Sequence, residues 1–357
     1  MNKLMVIVLF SLFSTIALGK DFNNILTLTM VMKEPGVLAF IERGRDELND
    51  LEVRYVERDF NLDSNGVKFK VNIDPFEKVW IERSDIYTSN GCVLNRFSLG
   101  SVLEKSITLP GCVAGQFDRI ADLTWFPDHR LLVAAGTHSY FLDNELNVIN
   151  HIVWDTEGDN DRVTSIHAST YDHSYVLIST VGKIKKYDLT TNVLRWAVDI
   201  RTLYGSQTQV NCLNVRCADV DNLGNIFLAT REIGDSYLAR DIVIQSNGRA
   251  SVYSSYSYGL QASKDFLVGN DNELYQLGPN ASDYNVRKVT TSTIIPIFQE
   301  VLPAGEFVST YNYNARRIVN AGPYIAFVVQ TVHDNEFTDK IHVLNTDILF
   351  KSEFENY

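Results

Sequence analysis

The feature that most limits the fold of this chain is a phrase of short β-rich runs that recurs along its sequence. The segments 131–154 and 176–200 read "LLVAAGTHSYFLDNELNVINHIVW" and "VLISTVGKIKKYDLTTNVLRWAVDI". Each has the order strand, small residues, turn, strand, polar turn, strand. The two copies are offset by about 44 residues, which is the period of a propeller blade. Less regular copies begin at residues 226, 266 and 325.

This repeat predicts a mainly β protein with a β-propeller over residues 77–357. Short β-rich runs separated by Asn, Asp and Gly turns also occur in sandwiches and barrels, but the recurring phrase favours a propeller. About 280 residues at the blade period correspond to about six blades. The later copies are spaced unevenly, so the count is defined only to within one blade.

The most regular copy contains "YDLTTNVLRW", in which Asp188, Thr191, Asn192 and Trp196 follow the spacing D-x-x-T-G-x-x-x-W. This spacing resembles the blade signature of quinoprotein-like (PQQ-type) propellers. Asn192 stands in the place of the Gly, and Asn tolerates the left-handed conformation that such a turn requires. The resemblance implies a structural role, in which the turn joins two strands and the Trp packs between blades. It does not imply a quinone, and no cofactor is expected.

The N-terminal residues have a different character from the repeat. Residues 1–19 form an apolar run that ends in Ala17-Leu18-Gly19, a pattern typical of a secretory signal peptide. Residues 20–76 follow with an apolar β-rich run, a Pro-initiated amphipathic segment, the alternating "LEVRYVER" and a strand after Asn65-Gly66. This order predicts a small α/β domain of the form β-α-β-turn-β, with a helix from Pro35 to about Leu48.

The stretch "EPGVLAFIERGRDELNDLEVRYVERDF" with "LDSNGVKFKVNI" resembles the thioredoxin-like domain of the selenoprotein F/M (15-kDa selenoprotein) family. The family places a Cys or selenocysteine redox motif between the first strand and the helix. The corresponding segment here, "TLTMVMKEPG", has no Cys, and thiol–disulfide exchange needs a thiolate. The resemblance therefore implies a redox-inactive domain that serves for docking or structure.

The four cysteines are Cys92, Cys112, Cys212 and Cys217. An even number in an oxidising compartment suggests two disulfides, for which three pairings exist. We favour the local pairs Cys92–Cys112 and Cys212–Cys217. The spacing lacks the CxxC of a dithiol redox centre.

Other residues are candidates for ligand binding or modification. The loop "DTEGDND" places four carboxylates at alternate positions, which could bind Ca²⁺ weakly or form a solvated acidic loop; they are Asp155, Glu157, Asp159 and Asp161. The run from Asp219 to Phe227 invites the same comparison, although such side chains commonly cap backbone amides in turns. Asn280-Ala281-Ser282 is an N-glycosylation sequon.

The sequence contains no recognised catalytic motif. The seven histidines are dispersed, and neither HExxH nor GxSxG is present. A formal net charge of −12 disfavours nucleic acid and anionic membranes, and no membrane span is expected after signal cleavage. The leading hypothesis is a secreted scaffolding protein that presents a propeller face to a protein or glycan partner. Two alternatives are an endoplasmic-reticulum lumenal factor in thiol or glycoprotein folding and a propeller hydrolase with an axial metal.

Overall fold

The structure is a computed structural model that describes most of the chain from residue 26 to residue 345. The described residues are 26–34, 37–45, 51–60, 68–73, 78–84, 92–112, 120–126, 128, 130–154, 162–169, 171–206, 208–210, 218–232, 238–257, 265–269, 271–279, 282–291, 294–308, 316–321, 324–334 and 336–345. Within them, 28 strands form seven antiparallel sheets, which we number as blades 1 to 7 in chain order, and there is one short helix.

Blades 1 to 3 contain the first eleven strands. Blade 1 consists of β1 (Leu26–Glu34), β2 (Val37–Arg45) and β3 (Leu51–Asp59). Blade 2 consists of β4 (Lys68–Ile73), β5 (Lys78–Ser84), β6 (Val93–Ser98) and β7 (Leu103–Thr108). Blade 3 consists of β8 (Ile120–Trp125), β9 (Leu131–Ala135), β10 (His138–Leu142) and β11 (Val148–Val153).

Blades 4 and 5 are joined by the one helix of the described residues. Blade 4 consists of β12 (Val163–Ser169), β13 (Ser174–Ser179), β14 (Lys183–Asp188) and β15 (Leu194–Asp199), and α1 (Ile200–Tyr204) follows. Blade 5 consists of β16 (Thr208–Val210), β17 (Ala218–Val220), β18 (Ile226–Glu232), β19 (Leu238–Ile244) and β20 (Ala250–Ser257). Both β16 and β17 pair with β18.

Blades 6 and 7 complete the set. Blade 6 consists of β21 (Asp265–Val268), β22 (Leu274–Pro279), β23 (Asp283–Val289) and β24 (Ile294–Val301). Blade 7 consists of β25 (Phe307–Val308), β26 (Arg316–Ala321), β27 (Tyr324–His333) and β28 (Glu336–Asn345).

The seven blades form a closed ring. A separate apolar core fills each seam from blade 2 through blade 7. The ring closes through β1, which contacts β26 and β27 of blade 7 on one side and β4 of blade 2 on the other. In blades 1 to 4 and 6 the strands follow one another in an antiparallel meander, whereas in blades 5 and 7 the first two strands both pair with the third. This is the arrangement of a β-propeller, with seven blades where the repeat length indicated about six.

Burial follows the position of a strand within its blade. Every residue of β9 and β13 is buried, because neighbouring blades cover both faces of these strands. The last strand of a blade lies at the rim, and β11 and β15 are accordingly mostly exposed or half-buried. The continuous apolar runs "LLVAA" and "SYVLIS" in the sequence therefore mark the middle of a blade.

The helix predicted from Pro35 to about Leu48 is wrong over its described part. Residues Val37–Arg45 form β2, which pairs antiparallel with both β1 and β3. The apolar run Val37–Ile41 suits a helix and a strand equally by periodicity, and β2 gains hydrogen bonds along both edges. The described part of this segment is thus a β-meander and not a β-α-β unit. The predicted domain boundary after residue 76 falls between β4 and β5, which pair in one sheet.

Candidate functional site

Two exposed apolar side chains lie on neighbouring turns at one end of the ring. Tyr171, between β12 and β13, is 62% exposed, and Leu223, between β17 and β18, is 51% exposed. The turns approach closely, since a Cβ atom on Gly224 would lie 3.6 Å from the Tyr171 ring. Gly224 has a φ of +77°, which a residue with a side chain rarely adopts. We term Tyr171 and Leu223 together the turn patch.

A network of charged side chains lies beneath the turn patch. Lys186 is fully buried, and its Nζ is 2.7 Å from Oδ2 of Asp172. The Arg195 guanidinium contacts the same Asp172 oxygen at 3.3 Å and Oδ2 of Asp188 at 2.6 Å. Two cations and two anions therefore balance one another. Such pairing holds the base of the patch in one arrangement, because an unpaired buried charge would be strongly destabilising.

The protonation of the two carboxylates follows from these contacts. Burial acts to raise the pKa of Asp172, but the hydrogen bonds from Lys186 and Ser174 outweigh it and leave that pKa below its usual range. The pKa of Asp188 is held well below its usual range, chiefly by the hydrogen bond from Arg195 and then by donors of Thr191. Both carboxylates are thus ionised at neutral pH.

The structure brings the four residues of the blade signature together. Oδ1 of Asp188 accepts hydrogen bonds from the amides of Thr190 and Thr191 and from the Thr191 hydroxyl. Asn192 has a φ of +58° and accepts a hydrogen bond from the Tyr175 hydroxyl. These contacts close the turn that leads into β15.

Trp196, the last residue of the signature, reaches the next blade. Its indole N–H donates to the Ser246 carbonyl at 2.9 Å, and a Cβ on Gly248 would lie 3.2 Å from the indole ring. Lys186 Nζ lies 5.8 Å from the centre of the same ring. The signature therefore links blade 4 to the outer turn of blade 5 and forms one side of the charged network.

Several predicted site residues lie outside the described residues. They are Asp155, Glu157, Asp159, Asp161, Cys212, Cys217 and Asn280. Of the predicted disulfides, Cys92–Cys112 is present, with its Cα atoms 5.6 Å apart. It joins the start of β6 to the segment after β7.

In the Asp219–Phe227 run, the Asp221 carboxylate already accepts hydrogen bonds from the protein itself. Oδ1 of Asp221 accepts from the amides of Leu223 and Asn225, and Oδ2 accepts from the Asn225 side chain. Asp221 therefore caps the turn that carries Leu223. No group of three or more His, Cys, Asp or Glu side chains suited to a metal ion occurs among the described residues.

Three aspartates of innermost strands connect successive blades. Asp122 Oδ2 accepts from the Ile166 amide, Asp219 Oδ2 from the Val268 amide, and Asp265 Oδ2 from the Ile318 amide, all at 2.9–3.0 Å. Each carboxylate satisfies a backbone donor of the following blade. No sequence motif predicts these contacts, because the partners lie more than 40 positions away.

A serine, a histidine and an aspartate meet in the innermost strands, but not in the order of a catalytic triad. The Ser165 hydroxyl donates to Oδ2 of Asp122 at 2.8 Å and contacts Nε2 of His167 at 2.9 Å. In a triad the His stands between Ser and Asp, so that it receives the Ser proton. Here the Ser proton is directed to the carboxylate, and Ser165 is only 3% exposed.

The fold and the linked turns define the class of the protein as a β-propeller. No protein-family profile and no curated protein matches the sequence. Similar structures are known, and two of them are β-propellers of the WD40 type. No helix in the described part of the chain is long and apolar enough to cross a membrane.

One similar structure is a chain of the crystal structure of the mitotic checkpoint complex, with a TM-score of 0.50 and 9% identity. The match covers 95% of this chain and 98% of that one. Another is the β-propeller domain of Cps50 (Swd1) from Myceliophteria thermophila, with a TM-score of 0.50 and 10% identity over 80% of this chain and 87% of that one. At this identity the likeness concerns the fold alone. Neither match supports the selenoprotein F/M or quinoprotein resemblance.

Proposed function

We propose that the protein is a secretory-pathway scaffold that holds a protein partner on the turn patch. The observation that carries the proposal is the exposure of Tyr171 beside Leu223 on a rigid, charge-balanced base. Aromatic anchors surrounded by polar groups are typical of the residues that dominate binding energy at protein interfaces. Similarity to a chain from a multiprotein complex agrees with this function.

The composition of the turn patch favours a protein partner over a glycan. A sugar ring would stack on Tyr171, but the branched aliphatic chain of Leu223 offers it no flat face. A protein side chain can instead pack against both residues at once. Leu223 is exposed by half of its surface, and its burial would contribute about 1–2 kcal/mol.

The secretory location rests on residues 1–19 and the local disulfide. The apolar run predicts cleavage after Gly19, and a disulfide such as Cys92–Cys112 persists in an oxidising compartment. N-terminal sequencing of the mature protein tests this part, with Lys20 as the expected first residue. A mature chain that begins at Met1 and remains in the cytosol would overturn it.

The two alternatives receive less support. The lumenal folding factor depends on a thioredoxin-like fragment whose helix is strand β2. The axial-metal hydrolase would recruit inner-strand carboxylates, but Asp122, Asp219 and Asp265 each accept a backbone amide. We therefore retain only the scaffold as the proposed function.

The decisive experiment compares affinity capture by two matched variants of the full chain. Tyr171→Ala with Leu223→Ala removes the turn patch, and Val301→Ala with Phe307→Ala removes two comparably exposed apolar side chains from blades 6 and 7. We expect the first variant to lose the protein partners that the wild type retains and the second to keep them. Equal recovery of the same partners by both variants would contradict the proposal.

A further inference from the structure

Two histidines meet at the seam between blades 2 and 3. His138 begins β10 and His151 lies in β11, where Tyr140 pairs with His151 and His138 pairs with Val153. The two histidines are thus diagonal neighbours on one face of the sheet. Nδ1 of His138 lies 2.7 Å from Nε2 of His151.

Nδ1 of His138 and Nε2 of His151 face one another. The ring centroids are 4.9 Å apart and the planes differ by 23°. This separation is close to the N···N distance plus the two ring radii, so both nitrogens lie near the line that joins the rings. One nitrogen carries the hydrogen, and the other presents its lone pair.

Tyr140, which lies beside the His151 ring, is held in place by its own contacts. The His151 ring lies 4.9 Å from the Tyr140 ring and nearly parallel to it, at 6°. Tyr140 is fully buried, and its hydroxyl donates to the Pro110 carbonyl at 2.7 Å. Pro110 stands two residues before Cys112, which is held by the disulfide to Cys92. The outer side of His151 is exposed to solvent.

We propose that His138 and His151 together bind a divalent transition-metal ion of the Zn²⁺ class. Imidazole nitrogen is a preferred ligand of such ions, whereas Mg²⁺ and Ca²⁺ prefer oxygen. Two nitrogens on a tetrahedral zinc lie about 3.3 Å apart, so the pair must open slightly and tilt from its hydrogen-bonded arrangement. The exposed side of His151 leaves room for this movement.

The protein supplies two ligands to this site, and water completes the coordination. On metal binding, the imidazole that donates the hydrogen bond shifts its hydrogen to its other ring nitrogen, so that both facing nitrogens present lone pairs. A proton on either facing nitrogen occupies the lone pair that the metal would use. The site is independent of the turn patch, which lies on blades 4 and 5.

Zinc titration of the metal-free full chain by calorimetry tests the proposal. We expect one bound Zn²⁺ at pH 7.5, a higher unfolding temperature with Zn²⁺, and no effect of Mg²⁺. His138→Gln and His151→Gln should each lower the affinity about tenfold or more. The matched control is His333→Gln, which changes an exposed histidine of blade 7.

Two outcomes would overturn the proposal. One is a wild type that binds no Zn²⁺, in which case the pair is a hydrogen bond alone. The other is unchanged zinc affinity in both pair variants, which would place the ion elsewhere. Circular dichroism of each variant separates loss of the site from loss of the fold. Partner capture by the pair variants should match the wild type, so the failure of one proposal is distinguishable from failure of the other.

Discussion

Trp196 shows how a single side chain stabilises the contact between two blades. Its ring packs against the Gly248 turn, and its N–H satisfies the Ser246 carbonyl. We expect Trp196→Ala to lower the free energy of unfolding by about 3 kcal/mol, through lost packing and the lost hydrogen bond.

Trp196→Phe serves as the control for that prediction. It keeps an aromatic ring in the seam and removes the donor, so the loss should be about 1 kcal/mol. Urea unfolding followed by fluorescence measures both variants. Equal stability of Trp196→Ala and the wild type would show that the indole does not join the blades.

We expect the free energy of unfolding to depend on pH because of His342. It lies between blades 6 and 7, where its Nε2 contacts the Tyr284 hydroxyl at 2.8 Å. Burial lowers the pKa of His342 to about 4, although Glu300 opposes this shift. The unfolded chain has the higher pKa and therefore binds the proton first. The contribution is complete above about pH 6.5 and is lost as the pH falls toward 4.

The measurement for His342 is the free energy of unfolding at pH 7.5 and at pH 4.5. We expect wild type to lose about 2 kcal/mol more than His342→Gln over this range. The ion pair between Glu300 and Lys340 is common to both proteins and does not distinguish them. A parallel decline of the two proteins would refute the assignment.

At the residue scale, the sequence predicted contacts that are local and missed those that depend on strand register. The turn residues Asp188, Thr191 and Asn192 lie within five positions, so their spacing reveals the turn. His138 and His151 are 13 positions apart, and only the pairing of β10 with β11 places them together. Asp122 is farther still from Ile166, its partner in the next blade.

Secondary-structure elements were predictable where they were short and bounded by turns. The strands around residues 131–142 and 176–188 stand where the repeat placed them. Val37–Arg45 was misassigned because an isolated apolar run of five residues does not distinguish a helix from a strand. Its antiparallel neighbours decide in favour of the strand.

The disulfide gives a prediction at the same scale. Cys92–Cys112 closes a segment with a sequence separation of 20, and its loss should cost about 3 kcal/mol. Unfolding of the Cys92→Ser, Cys112→Ser double variant measures this cost. Mass spectrometry of a non-reduced digest should recover the Cys92–Cys112 peptide pair and tests the predicted Cys212–Cys217 pair in the same sample. A peptide that links Cys92 to Cys212 would contradict both pairings.

The whole molecule is a ring of blades that is stabilised by the contacts between adjacent blades. Apolar cores fill the seams, and inner-strand aspartates reach the next blade at three of them. The sequence indicated the propeller from its period but not the number of blades. Blade 1 carries no copy of the repeated phrase, and its role became clear only from the contacts of β1 with blades 2 and 7.

A ring of this kind presents its turns in a fixed arrangement, which suits it to hold a partner. In the turn patch, the exposed side chains of Tyr171 and Leu223 lie on turns of two adjacent blades above paired charges. The turn patch could not be located from the sequence, because Tyr171 and Leu223 are brought together only by the stacking of blades 4 and 5.

Site-specific photo-crosslinking in producing cells tests whether the turn patch contacts the protein partner. Position 171 is replaced with p-benzoyl-phenylalanine in one protein and position 301 in a matched one, since Val301 is similarly exposed but lies in blade 6. We expect a discrete protein adduct from position 171 that disappears with Leu223→Ala, and no such adduct from position 301. The same adduct from both positions, or adducts from position 301 alone, would contradict the claim that the turn patch binds the partner.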